Sequence, residues 1–537
     1  MIFQPMGRHA RTTRVELNRW HNMHAPIASL PDEILGMIFE AGMLLEENAW
    51  IPRHFGTLVS RVSHHWRNAS LANPRIWTRI QFRRCSKKKH IKLQQERWKE
   101  RARVFLSRSR SLPIEITILE FVKQDFQAWF LQLIGDHIGH CRRLCIKNGD
   151  PEGISVVLTY LAKYKAPRLS TIELRVGDDW DDYDVEFRGP IFQSTAPLLT
   201  TAELDRILLP SLSFCLPAFI HLTSLRLTGI TIEWGMAGEP ALSHTTIKNF
   251  LEALRSLSHL ELDIYSFRSD GHPLKIMLPS LHYFHIQTDD LESLDSTLQI
   301  VHAASLSTLS LAPAFWEDDQ LFSTIEAGLG SQYPSLRHLI LCDISKEAPR
   351  LEVVAHHFPD IEQLTCRVAS EQLHTYDIEY VLAAINRTVD DSSDEGTDDE
   401  SAGDENMEDP DNSNSLSGST CNDGSQTEAD DHDEDWTGGS LPLLWPKLHT
   451  IGMSADSAHG CPARRRAQRA CDNTLDAPTL RSRITQLQLA GHPIHRLKLP
   501  AALYTYADAD SMATLREMIE MEDFSDGWPT TFVSLRC

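Results

Sequence analysis

The pattern L-x-x-L-x-L recurs along much of this 537-residue chain and restricts the fold more than any other feature. It reads PRLSTIEL at 167–174, PLLTTAEL at 197–204, HLTSLRL at 221–227 and SLSHLEL at 256–262. It continues as PSLHYFHI at 279–286, SLSTLSL at 305–311, PSLRHLIL at 334–341 and PDIEQLTC at 359–366. The first anchors, from Leu169 to Ile361, follow one another at 30, 23, 35, 24, 25, 30 and 25 residues. Apolar and polar residues alternate over the last positions of each unit, which reads as a strand with one buried face. No such unit closes a core by itself, so successive units must stack to bury a continuous apolar seam.

CRRLCI at 141–146 fits as an irregular first repeat, and SLPIEITI at 111–118 alternates as a strand that caps the array. After a long interruption, LWPKLHTIGM at 444–453 and ITQLQLAG at 484–491 read as further repeat strands. Repeats of ~20–29 residues, each a strand plus a return, are the units of leucine-rich-repeat solenoids. The returns are partly helical: TIKNFLEALRSL places Ile247, Phe250, Leu251 and Leu254 on one helical face. In such a horseshoe the leucines point inward and the residues between them line the concave side. The expected target-contacting residues are therefore His259, Glu261, Asp263, Tyr283, His285 and Gln287. This face is polar and mixed in sign, which suits protein recognition better than nucleic acid, whose grooves take a basic stripe with stacking aromatics.

Charge is distributed by segment. Nineteen acidic residues and no Lys or Arg lie between Asp390 and Asp435, and they carry most of the formal net charge of −22. The stretch 389–440 is nearly free of large apolar residues and is expected to be a disordered acidic insert within the repeats. Ser392, Thr397 and Ser401 each precede an acidic residue by three places, like sites of acidophilic kinases. The opposite bias lies at 83–110, with 12 basic and 2 acidic residues. Ile91, Trp98, Ala102 and Phe105 form an apolar stripe there, so the segment reads as a basic linking helix; its RRCSKKK also fits a nuclear localisation signal.

The N-terminal region is helical in pattern. SLPDEILGMIFEAG (29–42) places Ile34, Leu35, Ile38 and Phe39 on one face, with Ser29 and Asp32 as a capping box and Gly42 as the stop. Leu58, Val62, Trp66 and Ala69 give a second amphipathic helix; Asn73-Pro74 ends it, and Ile76, Trp77 and Ile80 form a third apolar patch. LPDEILGMIFEAG followed by VSHHWRNASLANPRIWTRI resembles an F-box, and with the repeats the chain resembles the F-box/leucine-rich-repeat proteins abundant in mushroom-forming fungi. The match covers 28–82, with the insert MLLEENAWIPRHFG longer than in a minimal F-box. The resemblance implies that Leu30, Pro31, Ile34, Leu35, Ile38, Phe39, Leu58, Val62 and Trp66 form the docking surface for a Skp-type adaptor, and through it for cullin and RING subunits.

The first twenty residues contain no apolar signal region, and no apolar run approaches the ~18 residues of a membrane span, so a cytoplasmic or nuclear chain is expected. The ten cysteines are sparse and irregular, as in reduced intracellular proteins. Phosphate-loop, dinucleotide, zinc-protease and serine-hydrolase motifs are absent. Cys141 and Cys145 lack a second ligand pair, and no catalytic residue, cofactor or metal is expected. The expected organisation is an α/β chain: a flexible tail (1–26), an all-helical F-box-like domain (27–82), the basic helix (83–110), and a solenoid (111–388). The insert (389–440) and C-terminal repeats with a cap (441–537) complete it. The expected function is a non-catalytic substrate adaptor of an SCF-type ubiquitin ligase holding an unidentified target protein. A repeat scaffold outside any ligase, or a nuclear factor whose acidic insert binds basic proteins such as histones, are the alternatives.

Overall fold

The computed structural model describes residues 13–14, 16–17, 20, 26–44, 54–84, 91–180, 183–193, 196–232, 242–267, 275–313, 322, 325, 329–344, 351–368, 373–386, 443–455, 475–504, 507–524 and 532. The acidic insert 389–440 with its serines and threonine, the Lys-rich cluster after Arg84, and Cys461, Cys471 and the neighbouring ARRRAQR lie outside the described residues.

Each repeat opens on a tight turn. The anchor Leu169 donates its N–H to Ala166 O at 3.2 Å, and the same bond to the third residue back precedes Leu199, Leu222, Leu257, Leu281, Leu306, Leu336 and Leu448. Pro167, Pro197, Pro279, Pro334 and Pro446 take the second position of five of these turns, where their fixed φ is already suited to the bend. The residue after the anchor then donates its N–H to the equivalent carbonyl one repeat earlier: Ser170 to Arg142, Thr223 to Thr200, Ser258 to Thr223, Ser307 to His282. The hydroxyls of Ser170, Thr200, Thr223, Ser258 and Ser307 donate to those same carbonyls, so the polar groups of the turn edge are satisfied repeat by repeat.

The strands that follow are β1 (Arg79–Arg83), β2 (Ile114–Leu119), β3 (Cys141–Gly149), β4 (Thr171–Val176) and β5 (Thr201–Asp205). Next come β6 (Ser224–Ile232), β7 (His259–Phe267), β8 (Ile276–Met277), β9 (Tyr283–Thr288), β10 (Val301–His302) and β11 (Thr308–Pro313). The last are β12 (His338–Ile344), β13 (Gln363–Val368), β14 (Thr450–Ala455), β15 (Arg496–Leu499) and β16 (Glu520–Asp523). Among the described residues, 14 of them form one open sheet in chain order, while β8 and β10 pair separately. Among the described residues every pairing in it is parallel, which requires a crossover between neighbours. Helices supply most of the crossovers, including Pro151–Leu161, Leu209–Phe219, Leu242–Ala253, Leu291–Ile300, Thr375–Asn386 and Ala477–Leu489. The molecule is thus an α/β, solenoid-like stack.

Register aligns the inner leucines. Ile172, Ala202, Leu225, Leu260, Phe284, Leu309, Leu339, Leu364, Ile451 and Leu497 stand side by side. Each is 0 % exposed, and the seam belongs to one continuous core running from Leu35 to Ile519. The stretch containing the acidic segment does not interrupt this stack. β13 pairs directly with β14 (Gln363 opposite Thr450), and Trp445 Nε1 donates to Phe358 O at 2.9 Å. The acidic segment is therefore an insertion between a return helix and the next turn, as the sequence indicates.

Several expectations are corrected. ITQLQL, at 484–489, ends the helix Ala477–Leu489, which is capped by Asp476 with Pro478 in its first turn; Leu480, Ile484 and Leu487 face the core, and Leu489 is 83 % exposed. The strand of that repeat is Arg496–Leu499, anchored by Ile494. The first helix, α1 (Asp32–Leu44), runs through Gly42 instead of ending there, and the missing side chain at 42 leaves room for the Phe55 ring that packs on the helix. Ser29 donates to Pro26 O at 2.7 Å within a short 3-10 turn and does not cap α1. The second amphipathic helix is two, α2 (Phe55–Val59) and α3 (His64–Ala72), because Ser63 caps the latter by accepting from Trp66 N at 3.1 Å. The sheet begins at Arg79, inside the region read as a separate helical domain, since β1 pairs with β2.

The basic segment forms the helix α4 (Ile91–Ser109), with Trp98, Ala102 and Phe105 buried. Its aromatic residues join the N-terminal helices to the sheet. Phe105 lies 5.2 Å from Trp77 and 4.3 Å from His54, and Trp98 stacks on Phe121 at 4.9 Å. The Arg108 guanidinium sits 4.3 Å over Trp77. Burial pushes His54 down to about 4, so it stays neutral in this joint.

Two leucines distinguish the observed register from the sequence expectation. Leu260→Ala should cost about 2–5 kcal/mol, as for a fully buried core leucine. Leu489→Ala should change stability by no more than about 0.5 kcal/mol. Urea unfolding of both variants measures this; a large loss at Leu489 would contradict the helical assignment.

Candidate functional site

Two surfaces carry the residues singled out in the sequence. The first is α1. Its inward residues Leu35, Phe39 and Met43 recur at four-residue spacing and are buried; Phe39 lies 5.1 Å from Trp66. Leu35 and Phe39 therefore belong to the core and not to a docking surface, a correction that follows from the helix having apolar residues on two sides. Trp66 and Leu58 are half-buried behind them. On the outer side Pro31, Ile34, Met37 and Ile38 are exposed, Leu30 is half-buried, and Val62 is exposed on the turn before α3. Met37, at 67 % exposure, is part of this patch and was not among the expected residues; its place one position before Ile38 on the same helix signals it. The helix is held by polar contacts along its flank: Asp32 with His65 (2.8 Å), Glu40 with Asn73 (2.9 Å), and Arg79 donating to Met43 O (2.8 Å).

The second surface is the sheet face turned away from the apolar seam. In-register parallel pairing sets outward side chains about 4.8 Å apart on neighbouring strands. Here opposite charges meet across neighbouring strands, directly or diagonally, although Glu173 stands opposite Glu203. Arg143 meets Glu173 at 2.6 Å, Arg175 meets Glu203 at 2.7 Å, and Arg226 reaches Glu203 at 3.5 Å while also binding Glu261. His259 Nε2 lies 2.7 Å from Glu261, and its ring stacks on Tyr283 with centroids 4.2 Å apart. Further along, His285 Nδ1 lies 2.9 Å from Ser310 Oγ, and His338 Nε2 2.9 Å from Thr365 Oγ1. Burial, with Lys498 adding, pushes His338 down to about 4. Burial alone would raise Glu173, but Arg143 and Lys147 outweigh it and hold its carboxyl below the usual range.

These pairs change the expected exposure. His259, Glu261 and Tyr283 are buried, and Asp263, His285 and Gln287 are half-buried. Their burial comes from cross-strand neighbours and from Phe532, whose ring lies 4.6 Å from the Arg226 guanidinium and 5.8 Å from the His259 ring. Beside Tyr283 the face turns apolar: Tyr283, Ala312, Ile340 and Cys342 form a cluster separate from the main core. Sequence reading missed Ile340, although an isoleucine at an outward repeat position, where neighbours have His285, Ser310 and Thr365, was a legible signal.

Cys141, Cys145, Cys215 and Cys366 carry buried thiols; burial pushes Cys141 up to about 12, which makes it inert as a nucleophile. Among the described residues no group of three or more His, Cys, Asp or Glu is placed to hold a metal ion, and no helix is long and apolar enough to cross a membrane. HHF at 356–358 falls at the end of the helix Leu351–His357. No protein-family model matches the chain, and no curated protein matches it.

The network on the open face yields a test. Glu261→Ala leaves buried Arg226 with one carboxylate and should cost about 3–5 kcal/mol. Gln287→Ala, on the same face, should stay within about 0.5 kcal/mol. Equal effects in urea unfolding would contradict the paired-charge arrangement.

Proposed function

We propose that this chain is an F-box/leucine-rich-repeat substrate adaptor of an SCF-type cullin-RING ubiquitin ligase. In this reading the N-terminal helices are the F-box and dock a Skp-type adaptor, and the stacked strands are leucine-rich repeats that hold a target protein. The observation that supports it is the two-sided α1: Leu35, Phe39 and Met43 fasten it to the body, while Pro31, Ile34, Met37 and Ile38 present apolar surface outward. Four neighbouring apolar side chains left in water on one helix are the feature of an interaction site. The aromatic joint at Trp77, Phe105 and Trp98 fixes the direction of that helix relative to the repeats. A rigid offset of this kind is what an adaptor needs, because its work is to hold a target lysine near the ubiquitin carrier. The chain itself supplies no reacting group; cullin and RING subunits join through the adaptor.

The corrected docking set is Leu30, Pro31, Ile34, Met37, Ile38 and Val62. A tagged full-length Ile34→Asp, Ile38→Asp variant should keep its circular dichroism and recover cullin at least tenfold less than wild type from a native extract. Equal recovery of cullin with both proteins, or none with wild type, would overturn the adaptor reading.

A further inference from the structure

The open face offers little to a charged ligand. Along β4 to β7 its carboxylates and guanidinium groups are already matched: Glu203 lies between Arg175 and Arg226, and Glu261 between Arg226 and His259. An acidic peptide or phosphate would have to displace an internal carboxylate from each arginine, exchanging one ion pair for another at the cost of stranding a buried charge. What this arrangement leaves open is the flat faces of the same groups. Arg226 is planar and fixed by its carboxylates, and His259 is stacked on Tyr283. A fixed guanidinium beside a stacked pair of rings is a seat for an aromatic side chain.

That seat holds a ring. Phe532 is nine residues beyond the last strand, which ends at Asp523, yet it sits against strands in the middle of the sheet. Its ring lies 4.6 Å over Arg226 and 5.8 Å from His259, and only 7 % of the residue is exposed. Phe524 shows the same preference nearer the end of the sheet. Its N–H donates to Leu499 O at 2.9 Å, and its ring lies where a Cβ on Gly452 would come within 3.3 Å. Gly452 stands in the outward row between Thr365 and Lys498, so the missing side chain makes room for that ring.

We propose that the Arg226–His259–Tyr283 site recognises an aromatic side chain on a target peptide, and that Phe532 is its resident occupant, which the target displaces. The proposal deepens the target-holding role given to the repeats above and rests on it. It assigns the target's chemistry, an exposed Phe, Tyr or Trp on an accessible segment next to apolar residues, which the neighbouring Tyr283, Ala312, Ile340 and Cys342 cluster suits. It also makes the C-terminal phenylalanine a competitor that a weak target fails to remove.

The test uses the full-length protein and a fluorescent peptide of residues 525–537 carrying Cys537→Ser. Full-length Phe532→Ala should bind this peptide at least tenfold more tightly than the wild-type chain does, by fluorescence anisotropy. The same peptide with Phe532→Ala should bind the Phe532→Ala protein at least tenfold more weakly than the unaltered peptide. Full-length Phe532→Leu keeps apolar volume in the seat while removing the ring, and should also gain peptide binding over wild type. No gain in either protein variant, or equal binding of the two peptides, would overturn the proposal. Neither adaptor nor cullin is in the assay, so this result and the cullin capture can fail independently.

Discussion

In-register parallel pairing is the constraint from which the rest of this molecule follows. When each strand joins the next in chain order with equivalent residues opposite, whatever the sequence puts at one position is multiplied into a row about 4.8 Å apart. Pointed inward, such a row is favourable: leucine against leucine closes into a continuous seam with each member of it buried. Pointed outward, it is hazardous, because like charges would be stacked at close range. Glu173 and Glu203 do stand opposite each other, and the chain meets this with arginines: Arg143 reaches Glu173 and Arg175 reaches Glu203 diagonally, two positions off register, while Arg226 stands between Glu203 and Glu261 and pairs with both. The outward face is thereby neutralised from within, and the remaining means of recognition are shape, ring stacking and apolar contact.

The same constraint explains why a long acidic insertion is tolerated. Each repeat depends on its own turn, its anchor and its two neighbours, so chain length added between a return helix and the next turn leaves the pairing intact. The β13–β14 register is as regular as its neighbours despite 81 residues between Val368 and Thr450. The termini of a solenoid need different treatment, since each exposes an unpaired strand edge and a seam end. At the N-terminal end β1 completes the sheet, and the aromatic joint of Trp77, Trp98 and Phe105 covers the seam and carries α1 outward.

Much of the stack was legible because its signal is local. Pro-x-Leu turns and period-two apolar residues located β4 to β7, β9, and β11 to β14 to within a few residues. Where two periods coexist the reading failed: ITQLQL alternates like a strand, yet Leu480, Ile484 and Leu487 also satisfy a helix, and the Asp476 cap with Pro478 decides for the helix. At α1 the sequence showed an apolar helix but not its division, because Leu35 and Phe39 are claimed by Trp66 and the body, leaving Ile34 and Ile38 outside. The sequence shows a polar face of mixed sign but not its internal pairing, because the partners come from other repeats. Arg226 and Glu261 are 35 residues apart, and Phe532 arrives from the chain's far end.

The central claim is that outward charges of adjacent repeats are paired across the strands, with Arg175 reaching Glu203 diagonally from beside Glu173. A double-mutant cycle on Arg175→Met and Glu203→Gln tests it directly, read by urea unfolding of both single variants and the double. Because each single change leaves its partner charge buried without its closest counterion, the two effects should be non-additive by about 1–3 kcal/mol, with the double variant more stable than their sum implies. Additivity to within about 0.5 kcal/mol would mean that the two side chains do not share a pair and would contradict the cross-strand charge pairing described here.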